Sequence, residues 1–112
     1  MKTKYYKKDS TNYTFYIQKG EMKQVVENIT DPNPTIFEDT TSVEVRFNVL
    51  IEDSDSFMKY HALDKYLNMP VTIGVVYGNG IELRSSFTVN KYERRFGSGK
   101  GPIVTHVFQG TK

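Results

Sequence analysis

Cysteine and tryptophan are both missing from the 112 residues of the chain. The first absence excludes a disulfide, a thiolate metal site and a cysteine nucleophile. Proline occurs four times, and two of the four share the stretch Asp31-Pro32-Asn33-Pro34. No apolar run approaches the roughly 18 to 20 residues that a membrane-crossing helix needs. The N-terminal MKTKYYKKDS is basic but lacks the apolar segment of a signal peptide. No membrane partner is therefore expected. Histidine is scarce too. His61 and His106 stand without the further ligands of a zinc site or the companions of a Ser-His-Asp triad. The expectation is a protein that is not an enzyme and carries no metal or cofactor.

Two short motifs invite a chemical reading and resist it. Gly97 to Gly101 reads GSGKG, but Pro102 and a strand follow. A phosphate-cradling loop needs a helix there, with its N-terminus aimed at the phosphate. Glu52, Asp53 and Asp55 cluster oxygens, yet the glycine and distant glutamate of a calcium loop are not in place. Acids at that position instead suit the N-terminal end of a helix.

What the chain does have is aromatic: eight Tyr and seven Phe. Such residues pack well on a pleated surface and favour sheet. The stretch VTIGVVYGNGIELRSSFTV, Val71 to Val89, carries the strongest hairpin signal. Val71, Ile73 and Val75 alternate along its first arm, and Gly78-Asn79-Gly80 supplies the turn. Ile81, Leu83 and, after an expected shift in phase, Phe87 and Val89 carry the second arm, which extends through Tyr92 toward Phe96. Asn12 to Gln18 reads as a strand with Tyr13, Phe15 and Ile17 on one side. Gly20 is the expected positive-φ residue of the turn that follows. Met22 to Ile29 is a further strand with an irregular pattern, broken by Val25-Val26. The two prolines predict a loop over 30–41. Ser42 to Ile51 is the cleanest strand, with Val43, Val45, Phe47 and Val49 facing the core. A helix is expected from Ser56 or Phe57 to Leu67, with Phe57, Tyr60, Leu63 and Leu67 on one stripe and Asn68 and Pro70 ending it. Ile103 to Phe108 closes the chain.

The expected fold class is mainly β: an antiparallel β-sandwich or barrel of about six to seven strands with one α-helix. A flexible basic N-terminal arm occupies residues 1–11, and a single β domain occupies 12–112 with the helix near 56–67. The formal net charge is only +2, but it is segregated. Residues 1–24 hold six lysines against Asp9 and Glu21, residues 25–56 hold eight acids against Arg46, and the remainder is basic again. An acidic surface of one copy meeting a basic surface of another is one consequence; a solvated surface with no partner is the other.

Cations and rings interleave twice, in Lys4 to Lys8 around Tyr5 and Tyr6, and in Lys91, Tyr92, Arg94, Arg95 and Phe96. Single-stranded nucleic-acid binders stack bases on rings while cations follow the phosphates. A small barrel of the OB type with Tyr5, Tyr6, Lys91, Tyr92, Arg94, Arg95 and Phe96 as contacts is the alternative functional reading.

The order of elements, with a core strand, a short helix, a hairpin with a glycine turn, a looser extension and a closing strand ending HVFQGTK, resembles the tail-tube fold. That family comprises bacteriophage tail tube proteins and the tube protein of related injection machines. The resemblance spans residues 12–112 and rests on element order and on Val107-Phe108-Gln109-Gly110. It implies a non-enzymatic virion subunit, assembled in the host cytoplasm, that forms homo-oligomeric rings, commonly hexamers, by joining sheets edge to edge. The chain's shortness also suits a tail-completion or baseplate protein working with other tail or baseplate proteins. On that reading the two loops are arms reaching neighbouring subunits, with Pro32, Pro34, Phe37, Lys100 and Pro102 as candidate contacts. The basic arm would order on assembly.

Overall fold

The computed structural model describes residues 2–5, 13–27, 29–51, 62–78, 80–96 and 103–112. Eight strands run in chain order: β1 Lys2–Tyr5, β2 Tyr13–Lys19, β3 Met22–Val26, β4 Ile29–Glu38, β5 Ser42–Leu50, β6 Pro70–Tyr77, β7 Glu82–Phe96 and β8 Ile103–Thr111. A 3-10 helix, Ala62–Tyr66, precedes β6. All eight strands join one antiparallel sheet in the order β1-β4-β5-β8-β7-β6-β2-β3.

Period-2 alternation produces most of these strands. Along β5, Val43, Val45, Phe47 and Val49 are all buried, as their spacing predicts. Along β6, Val71, Ile73 and Val75 do the same. The β6–β7 hairpin closes with Tyr77 N–H donating to Ile81 O at 2.8 Å and Gly80 N–H donating to Tyr77 O at 2.9 Å. Gly20 and Gly80 both take positive φ, 60° and 91°, the conformation that L side chains resist. The expected phase shift before Phe87 is absent. Leu83, Ser85, Phe87 and Val89 share one face, and the shift comes later, at a bulge between Val89 and Lys91. There Asn90 is the extra residue, and the bulge turns Tyr92 rather than Lys91 toward the inside.

Three expectations need correction. The proline loop is strand β4. Thr30 pairs with Asn48 and Thr35 with Arg46, so residues 31–34 bulge opposite Phe47 alone. A bulge is one of the few places where a sheet tolerates prolines, whose missing N–H breaks no ladder bond there. Next, Lys2–Tyr5, assigned to the basic arm, form β1 against Thr35–Glu38. The rest of that arm lies outside the described residues.

Lastly, no α-helix occurs among the described residues. Ala62–Tyr66, the described part of the expected helix, is 3-10, and residues 56–61 lie outside the description. A turn of three residues puts Leu63 and Tyr66 on one face. Both are buried, while Leu67, on the expected helical stripe, is exposed. Asn68 ends the turn at φ 66°, as expected. Asn68 N–H donates to Val89 O and Val89 N–H to Met69 O, which ties the chain to β7 before β6 begins.

The sheet is strongly curled. β2 and β5 are four places apart in the strand order, about 19 Å in a flat sheet. Yet the rings of Phe15 and Phe47, one on each strand, lie 4.8 Å apart. The inner faces converge on one core that includes Phe15, Ile17, Ile36, Phe47, Leu63, Ile73 and Phe108. The curl also brings Ser85 Oγ of β7 to donate to Glu38 Oε1 of β4.

Candidate functional site

The alternation of cations and rings after the β7 bulge is divided between two surfaces. Lys91, Glu93 and Arg95 share the outer face, where Glu93 accepts from Arg95 at 2.8 Å and meets Lys91 at 3.2 Å. Those two cations hold the Glu93 carboxyl below its usual range, Arg95 contributing most. Tyr92, Arg94 and Phe96 point the other way, opposite Phe108, His106 and Val104. Phe96 is exposed.

Tyr92 belongs to an internal stack. Its ring lies 5.0 Å from Phe108 and 5.9 Å from His106, and His106 stacks in turn on Phe47 at 5.2 Å. The Tyr92 hydroxyl is 2.6 Å from His106 Nδ1. Burial pushes the Tyr92 phenol well above its usual range. Burial first, and the Arg94 guanidinium second, lower the His106 imidazole to about 4. The ring is therefore neutral near pH 7. Its buried Nε2 has no hydrogen-bond partner among the described residues. Tyr5 lies on β1, with β4, β5 and β8 between it and β7 in the strand order. Tyr6 lies outside the described residues. Of the residues expected to form one nucleic-acid surface, Lys91 and Arg95 lie on the opposite face of β7 from Tyr92, Arg94 and Phe96.

Three of the five expected subunit contacts lie on β4. Pro34 is buried in β4. Phe37 is half-buried beneath the Arg46 guanidinium, whose carbon sits 5.7 Å from the ring centre. Pro32 lies in the β4 bulge, and Lys100 and Pro102 lie outside the described residues. The charge segregation is partly consumed inside the chain. Lys112 Nζ meets Glu38 at 3.3 Å, and Glu44 takes both Arg46 and the Gln109 amide.

A surface that the sequence did not single out runs along β3. Among the described residues this strand ends the sheet order and pairs only with β2. Met22 is 76% exposed and Val25 40% exposed on it. Beside it, Met22, Gln24, Lys65 and Tyr66 line a groove of about 520 Å³. The Tyr66 hydroxyl donates to Gln24 Oε1 at 2.6 Å and so holds the 3-10 helix against the strand. On the outer face, Tyr16 lies flat across Gly74, its hydroxyl donates to Glu82 at 2.6 Å, and Lys23 Nζ sits 4.3 Å over its ring. The one sequence signal for this edge is the Val25-Val26 doublet. Val26 enters the core, so Val25 must face outward.

Among the described residues no three His, Asp or Glu side chains gather as a metal site, and no helix is long and apolar enough to cross a membrane. No protein-family model matches the chain, and no curated protein and no solved structure matches it significantly.

Proposed function

We propose that the chain is a non-enzymatic structural subunit of the phage-tail type, a tube, tail-completion or baseplate component that assembles with copies of itself into rings in the virion. The observation that carries the self-association in this reading is the open end of the curled sheet among the described residues. Among the described residues strand β3 closes the order without a second partner strand, and it carries exposed apolar side chains along its edge. Unpaired edge amides beside exposed apolar groups favour pairing with another strand, and copies of one chain commonly associate symmetrically through a shared surface. The nucleic-acid alternative draws less support, because Lys91 and Arg95 are already matched by Glu93 and Tyr92 is engaged with His106.

Light scattering at several protein concentrations and two salt levels, with and without oligo-dT, tests the proposal. Oligomers that form without DNA are the expected result. A monomer that binds oligo-dT and releases it as salt rises would overturn the proposal in favour of the alternative.

A further inference from the structure

The β3 edge has a pattern that selects its partner. The two-residue turn of the β2–β3 hairpin makes Lys19 and Met22 a bonded pair, so Gln24 and Val26 also direct their amides to β2. Lys23 and Val25 direct theirs to the open side. The side chains of Lys23, Val25 and Glu27 share the outer face of this strand line, and all three are exposed.

We infer that β3 pairs antiparallel with β3 of a second copy, about a two-fold axis at Val25. In that register Val25 faces Val25 of the second copy, and Lys23 faces Glu27 of the second copy on both sides of the axis. Every cation then meets an acid, and the residue at the centre is apolar. The outward amides of Lys23 and Val25 fall in the bonding phase of the new ladder. A strand laid there also covers Met22 at the mouth of the groove beside the 3-10 helix.

The other end of the sheet lacks these properties. β1 carries Lys2 and Lys4, and the part of β4 that extends beyond β1 contains Pro32 and Pro34, which have no N–H to offer. Lysine and proline are the usual means of blunting an edge. Strand β3 contains no proline, and its lysine has an acid in reach across the axis.

This inference rests on the structural-subunit reading only in taking the partner to be a second copy. A two-fold pair closes on itself, so a ring needs another contact elsewhere, and the two ideas separate by experiment. Lys23→Glu and Glu27→Lys each place like charges opposite one another twice per dimer. Each single variant is expected to weaken dimerisation by about tenfold or more, from the cost of like charges in directly opposed pairs. The double variant Lys23→Glu/Glu27→Lys restores the match and should return to within about threefold of the parent by the same pairing rule. Thermal melts check that the fold is intact, because Lys23→Glu removes the Lys23–Tyr16 contact and Glu27 has an interaction of its own within the chain. The chain has no cysteine of its own, so Val25→Cys adds a clean test: mild oxidation should give a disulfide-linked dimer faster than Thr14→Cys, which is exposed on β2. Sedimentation velocity reads the species. Oligomers with unchanged mass in all charge variants would overturn the β3 pairing and leave self-assembly standing. A charge-sensitive dimer that never grows larger would support the pairing and overturn the ring. A monomer at every concentration would overturn both.

Discussion

His106 is the residue whose chemistry departs furthest from its ordinary behaviour. It sits at 1% exposure between the rings of Phe47 and Tyr92, and among the described residues only its Nδ1 has a hydrogen-bond partner. Its imidazole titrates near 4 in the folded chain against 6.5 for an ordinary histidine. Between those values the unfolded chain binds the extra proton, so stability falls as pH falls through that window and is fully retained above 6.5. The whole effect is about 3 kcal/mol. A His106→Phe/Tyr92→Phe double variant replaces both hydrogen-bond partners with rings of similar shape, which leaves no polar atom orphaned there. Urea unfolding between pH 7.5 and 4 should show the parent losing about 3 kcal/mol more than this variant. Parallel losses would show that the imidazole does not govern acid stability. Tyr92→Phe alone should be worse than the double variant at pH 7, by about 1–3 kcal/mol, because Nδ1 then joins Nε2 without a partner.

At the scale of single elements, backbone proximity decides what a position tolerates. Gly110 on β8 faces Val43 of β5 and Val89 of β7. A β-carbon there would run into the Thr88 carbonyl and come within 2.6 Å of the Phe87 ring. The carbonyl belongs to a neighbouring strand beside the β7 bulge and cannot rotate away. Gly110→Ala should therefore cost about 3 kcal/mol or more. Gly20→Ala has open space but must hold φ at 60°, which costs about 1 kcal/mol. Thermal or urea melts of the two variants check the ranking, and a reversed order would refute the packing argument. Element identity was legible where side-chain period was regular: β5, β6 and the β2–β3 turn all follow from alternation and glycine placement. β4 was not, because Pro32 and Pro34 read as breakers until the register shows that they occupy a bulge opposite Phe47. The turn at Ala62–Tyr66 was not either. Its period depends on burying Leu63 with Tyr66 and on the backbone bonds that Val89 accepts from Asn68 and donates to Met69, and Val89 lies across the fold.

For the whole molecule, the dominant fact is the distance in sequence between paired strands. β5 pairs with β8 from Ser42↔Thr111 to Leu50↔Ile103, and β2 pairs with β6 from Tyr13↔Tyr77 to Gln18↔Thr72. Loop-closure entropy must be met before such pairings stabilise the chain. Refolding followed by tyrosine fluorescence in a stopped-flow instrument should therefore take milliseconds to seconds. A main phase completed within tens of microseconds would contradict this topology.

By itself the sequence determined the β class, the main hairpin, the inward face of β5 and β6, and the turns at Gly20 and Gly80, because each depends on residues within a few positions of one another. The tertiary structure alone decided which strand stands at the end of the sheet, where β7 changes face, and what surrounds His106. These follow from strand order and curl, which bring together residues as distant in sequence as Ser42 and Thr111, or Glu38 and Lys112. The cation–ring run Lys91 to Phe96 shows the difference most plainly. Its composition suggested one binding surface, but an extended chain sends alternate side chains to opposite faces, and the core claimed Tyr92.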